Sequence, residues 1–195
     1  MHELAGVWTD RRGIAFIAVT AVLYAMLLIP FNQASLVVAG ISIRPAAALP
    51  VVFGILWGPA AAWGIGIGNV AGDLFGSWSP LSIFGFLINF IYPYLSYLLW
   101  HRLMQRRTIR MSPYALGMYW IVAFVATLIC MALLATAGTL FFGRPFVSKF
   151  VSYFGNNIFW TMTAGAVIFG LALGPAIRKG FVYGREWTKN HVIPR

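Results

Sequence analysis

The sequence predicts an all-α integral membrane protein that crosses the bilayer six times. Of its 195 residues, 61% are hydrophobic and only 9% are charged, and the mean hydropathy is +0.82. Because a soluble domain carries about a quarter charged residues, a water-soluble fold could not cover this much apolar surface. Five stretches lack Asp, Glu, Lys and Arg, and each is longer than the about 20 residues that span the hydrocarbon core: residues 13–43, 45–72, 74–101, 111–143 and 150–177.

The first helix is predicted over residues 13–31 and is interpreted as a retained membrane helix. It follows Arg11 and Arg12 directly, and no small-residue cleavage site of the kind that ends a signal peptide is evident. Since basic residues favour the cytoplasmic side of a membrane, the arginine pair predicts a cytoplasmic N-terminus. Ala21 and Ala25 lie one turn apart on this helix, a spacing that lets two backbones approach closely. By themselves, the two alanines indicate packing within the protein.

The middle of the chain is predicted to form a short helical hairpin, with arms over residues 44–57 and 59–75. One continuous helix here would be about 48 Å long, which exceeds the thickness of the hydrocarbon core. Pro59 supplies the break, because proline cannot donate a helical hydrogen bond and disfavours helix in the residue before it. The first arm would be only about 21 Å long, so we expect neighbouring helices to shield its ends.

Two further features of the apolar stretches are interpreted as packing. Gly64, Gly68 and Gly72 recur four residues apart, which predicts a helix face that lies close against another helix. Cys130 is the only cysteine, lies in an apolar stretch and can form no internal disulfide. Neither feature therefore predicts chemistry.

Three more helices are predicted, over residues 80–101, 113–140 and 147–177. With six crossings, both termini lie in the cytoplasm and the chain, residues 1–195, forms a single transmembrane domain of the cell membrane. Most basic residues then lie inside, as the positive-inside rule requires: Arg11, Arg12, Arg102, Arg106, Arg107, Arg110, Arg178, Lys179, Arg185, Lys189 and Arg195. The basic residues predicted outside are Arg44, Arg144 and Lys149.

Asp73 is a candidate functional residue because of its isolation. It is the only acidic residue between Asp10 and Glu186, and it lies where the third crossing should reach the outer surface, with Asn69 one turn beneath it. An ionisable group inside a membrane is costly unless it is paired or hydrated. A structural ion pair with Arg44 is the alternative interpretation, and the two interpretations are compatible.

The last helix carries a stripe of polar and aromatic side chains at three- and four-residue steps: Lys149, Tyr153, Asn156, Asn157, Trp160 and Thr161. Such a stripe must face the interior of the bundle, either to join helices or to line a cavity open to the outside. Asparagines beside a tryptophan favour the cavity, since amides bind the polar edge of a ligand while aromatic planes cover its ring. Asn89 and Tyr92 on the fourth helix could face the same space. Trp78, in the preceding loop, could act as a lid or anchor the loop at the membrane surface.

No constellation for catalysis is visible in the sequence. His2, His101 and His191 lie far apart on the predicted cytoplasmic side, there is no pair of membrane-embedded carboxylates, and there is no nucleotide-binding loop. The sequence therefore predicts no enzyme activity, no metal and no cofactor. The net charge of +10 does not indicate nucleic acid, because the basic residues are better explained by membrane topology.

Four segments of this chain resemble the substrate-binding S components of energy-coupling factor (ECF) vitamin transporters: residues 43–50 (IRPAAALP), 53–64 (FGILWGPAAAWG), 68–76 (GNVAGDLFG) and 82–86 (SIFGF). The likeness extends over the chain in length and helix count, and its specific part covers residues 43–100. The resemblance implies a six-helix bundle that binds a vitamin or related micronutrient near the outer face. A separate module, made of a transmembrane coupling subunit and two ATPases, would then drive uptake.

The resemblance also implies roles for particular residues. Ala21 and Ala25 match the family's motif for docking to the coupling subunit, and the loop over residues 32–43 looks like a mobile gate. The outer ends of the fourth to sixth helices would form the walls of the pocket. The complete set of predicted substrate-binding residues is Arg44, Asp73, Trp78, Asn89, Tyr92, Arg144, Lys149, Tyr153, Asn156, Asn157 and Trp160.

The identity of the substrate stays open at the level of sequence. Positive charges outnumber Asp73 near the predicted pocket, which favours a ligand with a carboxylate, a phosphate or strong acceptors. Cobalamin, a queuosine precursor, pantothenate and folate all agree with this. Three other functions remain as alternatives: a membrane-embedded lipid-modifying enzyme using Asp73, a channel or stand-alone facilitator for small solutes, and a structural membrane protein.

Overall fold

The computed structural model describes residues 2–34, 36–38, 41–76, 78–104 and 111–183, and in these ranges the protein is almost entirely helical. The helices are α1 (His2–Gly6), α2 (Arg11–Ala34), α3 (Leu49–Trp57), α4 (Pro59–Leu74), α5 (Leu81–Met104), α6 (Pro113–Phe142), α7 (Phe146–Trp160) and α8 (Ala166–Arg178). A 3₁₀-helix (Pro45–Ala48) leads into α3, and a π turn (Thr161–Gly165) joins α7 to α8. Two short antiparallel strands, β1 (Val37–Val38) and β2 (Ile41–Ser42), pair in front of the 3₁₀-helix.

The long helices follow the sequence pattern, and the differences are local. The helix α2 continues through Pro30 to Ala34, so the predicted loop over residues 32–43 is shorter than expected and contains the β1–β2 pair. The last helix was predicted as one continuous element, whereas the π turn interrupts it. The short helix α1 has no counterpart in the prediction, since five residues are too few for an apolar period to be seen.

Four helices are long and apolar enough to cross a membrane: α2, α5, α6 and the joined segment Phe146–Arg178. The predicted six crossings are therefore not confirmed. The two arms of the middle hairpin, Pro45–Trp57 and α4, are shorter than the about 20 residues of a full span. The protein is a multi-pass membrane protein with at least these four candidate spans among its described residues.

The first arm of the hairpin lies inside the bundle. Every residue from Ala46 to Leu56 is buried, and the side chains of Val51, Val52 and Ile55 have no exposed surface. Neighbouring elements thus shield the arm over Ala46 to Leu56, whereas at its predicted ends Arg44 is exposed and Trp57 is half-buried. A helix that contacts only protein need not match the thickness of the lipid, which is why the arm can be short.

The glycines of α4 pack against α2, as their spacing predicts. A methyl group placed on Gly64 would lie 2.6 Å from Cβ of Thr20, and one on Gly68 would lie 2.6 Å from the carbonyl oxygen of Ala21. One on Gly72 would meet the side chain of Leu28 at 2.5 Å. Only glycine lets the two backbones come this close, so the prediction of a packing stripe is confirmed.

The helix α6 has clear signals at both ends. The hydroxyl of Ser112 accepts a hydrogen bond from the backbone N–H of Ala115 at 3.1 Å, and Pro113 occupies the first turn. Gly143 ends the helix in the left-handed conformation with φ of 60°. Cys130, in the middle of α6, is buried, in agreement with its interpretation as packing.

The two arms of the hairpin run between the two ends of the bundle. The turn at Gly58, which adopts φ of 51°, contacts the rings of Tyr97 and Tyr183. We call this the Gly58 end. Arg44 and Asp73, at the far ends of the two arms, line a common cavity at the opposite end, which we call the Asp73 end.

The N-terminus and the segment after α8 close the Gly58 end. The indole N–H of Trp63 donates to the carbonyl of Leu4 at 2.9 Å, and the hydroxyl of Tyr97 donates to Glu3 at 3.3 Å. The backbone N–H of Tyr183 donates to the carbonyl of Leu56 at 2.8 Å. Burial, with a smaller contribution from Glu3, raises the pKa of Tyr183 to about 12, so this ring stays neutral at physiological pH.

Basic side chains are segregated between the two ends. Arg11, Arg12, Arg102, Arg178 and Lys179 flank the helix ends on the Gly58 side and are exposed. The predicted cytoplasmic residues Arg106, Arg107, Arg110, Arg185, Lys189 and Arg195, together with His191, lie outside the described residues. A cytoplasmic location for the Gly58 end and for both termini stays a prediction.

Candidate functional site

A polar cavity of about 310 Å³ opens at the Asp73 end, between α2, α4, α5, α6, α7 and the 3₁₀-helix. Its volume lies at the lower bound of the roughly 300–1,000 Å³ that is typical of small-molecule sites. Seven of the predicted substrate-binding residues line it: Arg44, Asp73, Asn89, Arg144, Tyr153, Asn156 and Asn157. Eleven further residues complete the wall: Tyr24, Leu28, Ala47, Asn69, Ser79, Leu81, Ser82, Gly85, Met131, Leu134 and Ser152.

Four predicted site residues do not line this cavity. Trp78 is 55% exposed in the loop between α4 and α5, and Lys149 lies half-buried in the first turn of α7. The ring of Trp160 packs edge-on against Phe159. Tyr92 is fully buried, and its hydroxyl contacts the hydroxyls of Thr127 and Thr161 instead of the cavity.

One wall of the cavity is a chain of hydrogen-bonded side chains from three helices. The hydroxyl of Tyr24 on α2 donates to Oδ1 of Asn89 on α5 at 3.0 Å. Nδ2 of Asn89 donates to Oδ1 of Asn69 on α4 at 3.1 Å and to the carbonyl of Gly85 at 2.9 Å. Nδ2 of Asn69 donates to Oδ2 of Asp73 at 3.3 Å, so the carboxylate is the final acceptor of the chain.

Asp73 lies at the junction of this wall with the α2–α4 packing surface. Its side chain is 8% exposed, and it also accepts a hydrogen bond from Nδ2 of Asn32 at 3.5 Å. The same amide nitrogen of Asn32 donates to the carbonyl of Gly72 at 3.3 Å. The carboxylate of Asp73 orients both amides, since it accepts a hydrogen bond from each.

The opposite wall comes from α7 and the start of the hairpin. Oδ1 of Asn156 accepts the backbone N–H of Arg44 at 2.8 Å, which ties the hairpin to α7 and leaves the Nδ2 group of Asn156 as a donor. Nδ2 of Asn157 donates to the carbonyl of Tyr153 at 2.9 Å, one turn earlier in the same helix. Its Oδ1 is thereby available as an acceptor at the cavity wall.

The charges around the cavity are unequal. Two arginines, Arg44 and Arg144, and one carboxylate residue, Asp73, line the cavity. Arg144 lies in the turn between α6 and α7, where it is half-buried, and Arg44 is exposed beside the 3₁₀-helix. The cavity therefore has a cationic mouth and an anionic group on the α4 wall, and it suits a ligand with acceptors on one side and donors on the other.

Apolar side chains complete the lining of the cavity. Leu28, Leu81, Met131 and Leu134 line it from α2, α5 and α6. Tyr153 adds an aromatic side chain to the lining. Such a mixture of apolar surface and few directed polar groups is typical of sites for small cyclic ligands.

The floor of the cavity rests on a second buried hydrogen-bond network. Ala47 of the 3₁₀-helix lines the cavity, and its carbonyl accepts the hydroxyl of Thr161 at 2.9 Å. The hydroxyl of Tyr119 on α6 donates to the carbonyl of Thr161 at 2.8 Å. Tyr92 joins the network through Thr161, and this explains why it is buried beneath the cavity.

The sequence interpretation missed Tyr24, Ser79, Ser82 and Ser152 as cavity residues. A signal for Tyr24 was present, because Tyr24, Leu28 and Asn32 recur every four residues on the first helix and so share one face. Asn69 was noticed beneath Asp73 but was not included in the predicted set. The serines carry no pattern that distinguishes them from ordinary membrane-helix or loop serines.

The two alanines predicted to dock a partner lie at the edge of the α2–α4 packing surface. Ala21 and Ala25 are both half-buried, whereas Val22 and Met26 beside them are exposed. The backbone of Ala21 is the part of α2 that Gly68 approaches. The pair thus contributes to internal packing and also borders a free helix face, so a role in docking stays a prediction.

No group of three or more His, Cys, Asp or Glu side chains that could hold a metal ion occurs in the part of the chain that the structure describes. The ligands available at the cavity are amides, hydroxyls, two guanidiniums and one carboxylate. These groups can bind and orient a polar organic molecule.

Comparison with known protein families matches residues 14–173 to the QueT transporter family. The match covers all four candidate membrane spans in whole or in large part and every residue that lines the cavity. No curated protein and no solved structure matches the chain.

Proposed function

Since the chain belongs to the QueT transporter family, a family of ECF S components, we propose that it binds a queuosine precursor from outside the cell for uptake. The observation that carries this proposal is the cavity at the Asp73 end, which is walled by amides, arginines and apolar side chains of membrane helices. Polar groups inside a membrane bundle either join helices or border water or a ligand, and these groups line an open cavity.

The size of the cavity favours a small ligand. A volume of about 310 Å³ accommodates a single bicyclic base but not cobalamin, whose corrin ring and nucleotide loop need several times that space. A queuosine precursor is a flat, purine-like base with donors and acceptors on its edges. The amide chain on one wall and the arginines on the other offer partners to both kinds of group.

We propose the same topology that the charge pattern predicts. The hairpin arms count as two short crossings, the Asp73 end faces outward, and both termini lie in the cytoplasm as parts of one transmembrane domain, residues 1–195. The burial of Ala46 to Leu56 supports this, because a shielded arm can cross without matching the lipid.

The chain needs a separate source of energy for uptake against a gradient, because no nucleotide-binding loop occurs in the sequence. We propose that a transmembrane coupling subunit with two ATPases supplies it, and that this subunit docks against the α2 face that carries Ala21 and Ala25. The exposed side chains of Val22 and Met26 on that face support a contact with a second helix in the membrane.

The direct test is to identify what the protein holds when it is purified. The protein is extracted in mild detergent and denatured, and released small molecules are identified by mass spectrometry. A stoichiometric queuosine precursor is expected. Another vitamin, such as pantothenate or folate, would change the substrate but keep the function, whereas bound lipid alone would favour the lipid-modifying enzyme that uses Asp73.

A further inference from the structure

The π turn at Thr161–Gly165 lies beneath the cavity and is held on two sides by neighbouring elements. On one side, the hydroxyl of Thr161 donates to the carbonyl of Ala47, a residue of the cavity floor, at 2.9 Å. On the other side, the hydroxyl of Tyr119 donates to the carbonyl of Thr161 at 2.8 Å. Thr161 itself is fully buried, so both of its polar groups are satisfied by these specific partners.

The π turn makes two more close contacts, one with α6 and one with the 3₁₀-helix. The indole N–H of Trp120 donates to the carbonyl of Met162 at 3.3 Å. A methyl group placed on Gly165 would lie 2.9 Å from the carbonyl of Ala48, so only glycine lets the turn approach the 3₁₀-helix this closely. The carbonyls of a widened turn need partners in a bilayer, and here α6 supplies them.

The π turn separates a helix that lines the cavity from a helix that packs in the apolar core. α7 carries Asn156 and Asn157 at the cavity wall, and α8 carries Phe169 and Leu173 in the apolar core. A π turn holds about one residue more than an α turn, so it rotates the two helices by about 100° relative to a continuous α-helix. The turn therefore sets which way the amides of α7 face once α8 is packed.

We propose that Thr161 and Tyr119 are positioning residues for ligand binding: they hold the π turn and thereby fix the direction in which Asn156 and Asn157 face the cavity. Neither residue lines the cavity, so both act through the helix that they anchor. The inference rests on the proposed function for the identity of the ligand, but the geometry of α7 can be tested without a ligand.

The first test measures the affinity for a queuosine precursor base. Thr161→Val keeps the shape of the side chain and removes its hydrogen bonds, and the affinity is expected to fall about tenfold. Thr161→Ser restores the hydroxyl and should bind within about threefold of the unchanged protein. Thr163→Val is the matched control in the same turn, because Thr163 is exposed and its hydroxyl donates to the carbonyl of Phe159 in its own helix.

The second test needs no ligand. In a Cys130→Ala background, Asn157→Cys places a thiol at the cavity wall, where a water-soluble maleimide should label it. Deleting Thr163 removes the extra residue of the π turn and is expected to rotate Asn157→Cys away from the cavity, so that labelling is lost. Ser148→Cys, at an exposed position near the start of α7, should be labelled equally in both backgrounds.

The outcomes of the two tests are separable. Unchanged affinity in Thr161→Val, or unchanged labelling of Asn157→Cys after the deletion, would overturn the positioning role. If the unchanged protein does not bind the base, the proposed substrate fails, while the labelling result still decides whether the π turn orients α7. Should Thr161→Val not fold, Tyr119→Phe removes the other hydrogen bond of the turn and is measured in the same way.

Discussion

At the wall formed by α2, α4 and α5, three side-chain hydrogen bonds follow one another in a single direction, from Tyr24 through Asn89 and Asn69 to Asp73. The carboxylate can only accept, so it fixes the orientation of each amide before it. A ligand therefore meets a wall with a defined order of donors and acceptors. Such an order favours a ligand whose own donors and acceptors are arranged in the complementary order.

Asn89 is at the centre of this series of hydrogen bonds, and removal of its side chain should affect both the stability of the protein and ligand binding. Asn89→Ala leaves the hydroxyl of Tyr24 without its acceptor and Oδ1 of Asn69 without its donor. Unpaired buried polar groups cost about 1–3 kcal/mol, so we expect a lower Tm in detergent and at least about tenfold weaker ligand binding. Tyr24→Phe is the control, since it removes a single donor and should have the smaller effect on both measurements.

Arg144, which lines the cavity, is predicted to contribute more to ligand binding than the nearby Lys149. Arg144 lines the cavity, whereas Lys149 lies on the same side of the protein but outside the lining. Arg144→Gln should weaken binding of an acceptor-rich ligand about tenfold by removing a charge-assisted hydrogen bond. Lys149→Gln should bind normally in the same titration calorimetry or fluorescence assay. Equal losses in both variants would point to long-range charge instead of a direct contact.

Among the elements, the packing of α2 against α4 depends on glycines that leave no room for a side chain. Gly68→Ala would place a methyl group 2.6 Å from a backbone oxygen of α2, which cannot move away as a flexible side chain could. We expect a loss of about 1–3 kcal/mol in the free energy of unfolding and a lower Tm. Gly117→Ala is the matched control, because nothing lies within 4 Å of the added methyl group and alanine favours helix. A Gly68→Ala protein as stable as Gly117→Ala would contradict this account of the packing.

The hairpin arms show why the number of membrane crossings cannot be read from helix positions alone. Hydropathy and Pro59 place the arms, and the structure puts them between the two ends of the bundle. The length of an arm limits a crossing only where lipid surrounds it. The first arm is surrounded by protein, so length and hydropathy alone could not decide what it does.

For the whole molecule, the proposed topology places the loops at the Asp73 end outside the cell. In a Cys130→Ala background, Trp78→Cys should react with a membrane-impermeant maleimide applied to intact cells. Met111→Cys, exposed just before α6 at the other end, should react only after the membrane is opened. Reaction of Met111→Cys in intact cells would contradict the predicted orientation.

Assembly with an energising module is predicted to use the α2 face beside the α4 contact. Ala21→Leu combined with Ala25→Leu should keep ligand binding but lose co-purification with the coupling subunit, because larger side chains prevent close approach of a second helix. Val19→Leu combined with Leu23→Phe enlarges exposed side chains on the opposite side of the same helix and serves as the control. Normal co-purification of the double alanine variant would show that the pair only packs internally.

The sequence by itself determined the membrane class, the positions of the long helices, the glycine packing stripe and seven residues of the cavity wall. These follow from local averages of hydropathy and from spacing along one helix, which are present in any short window of the chain. Only the tertiary structure shows that Tyr24 and Asn69 line the cavity, that Tyr92 and Trp160 do not, and that a π turn interrupts the last helix. These depend on how far each helix is rotated about its axis, and contacts between distant segments set that rotation, such as Thr161 with Ala47 and Asn156 with Arg44.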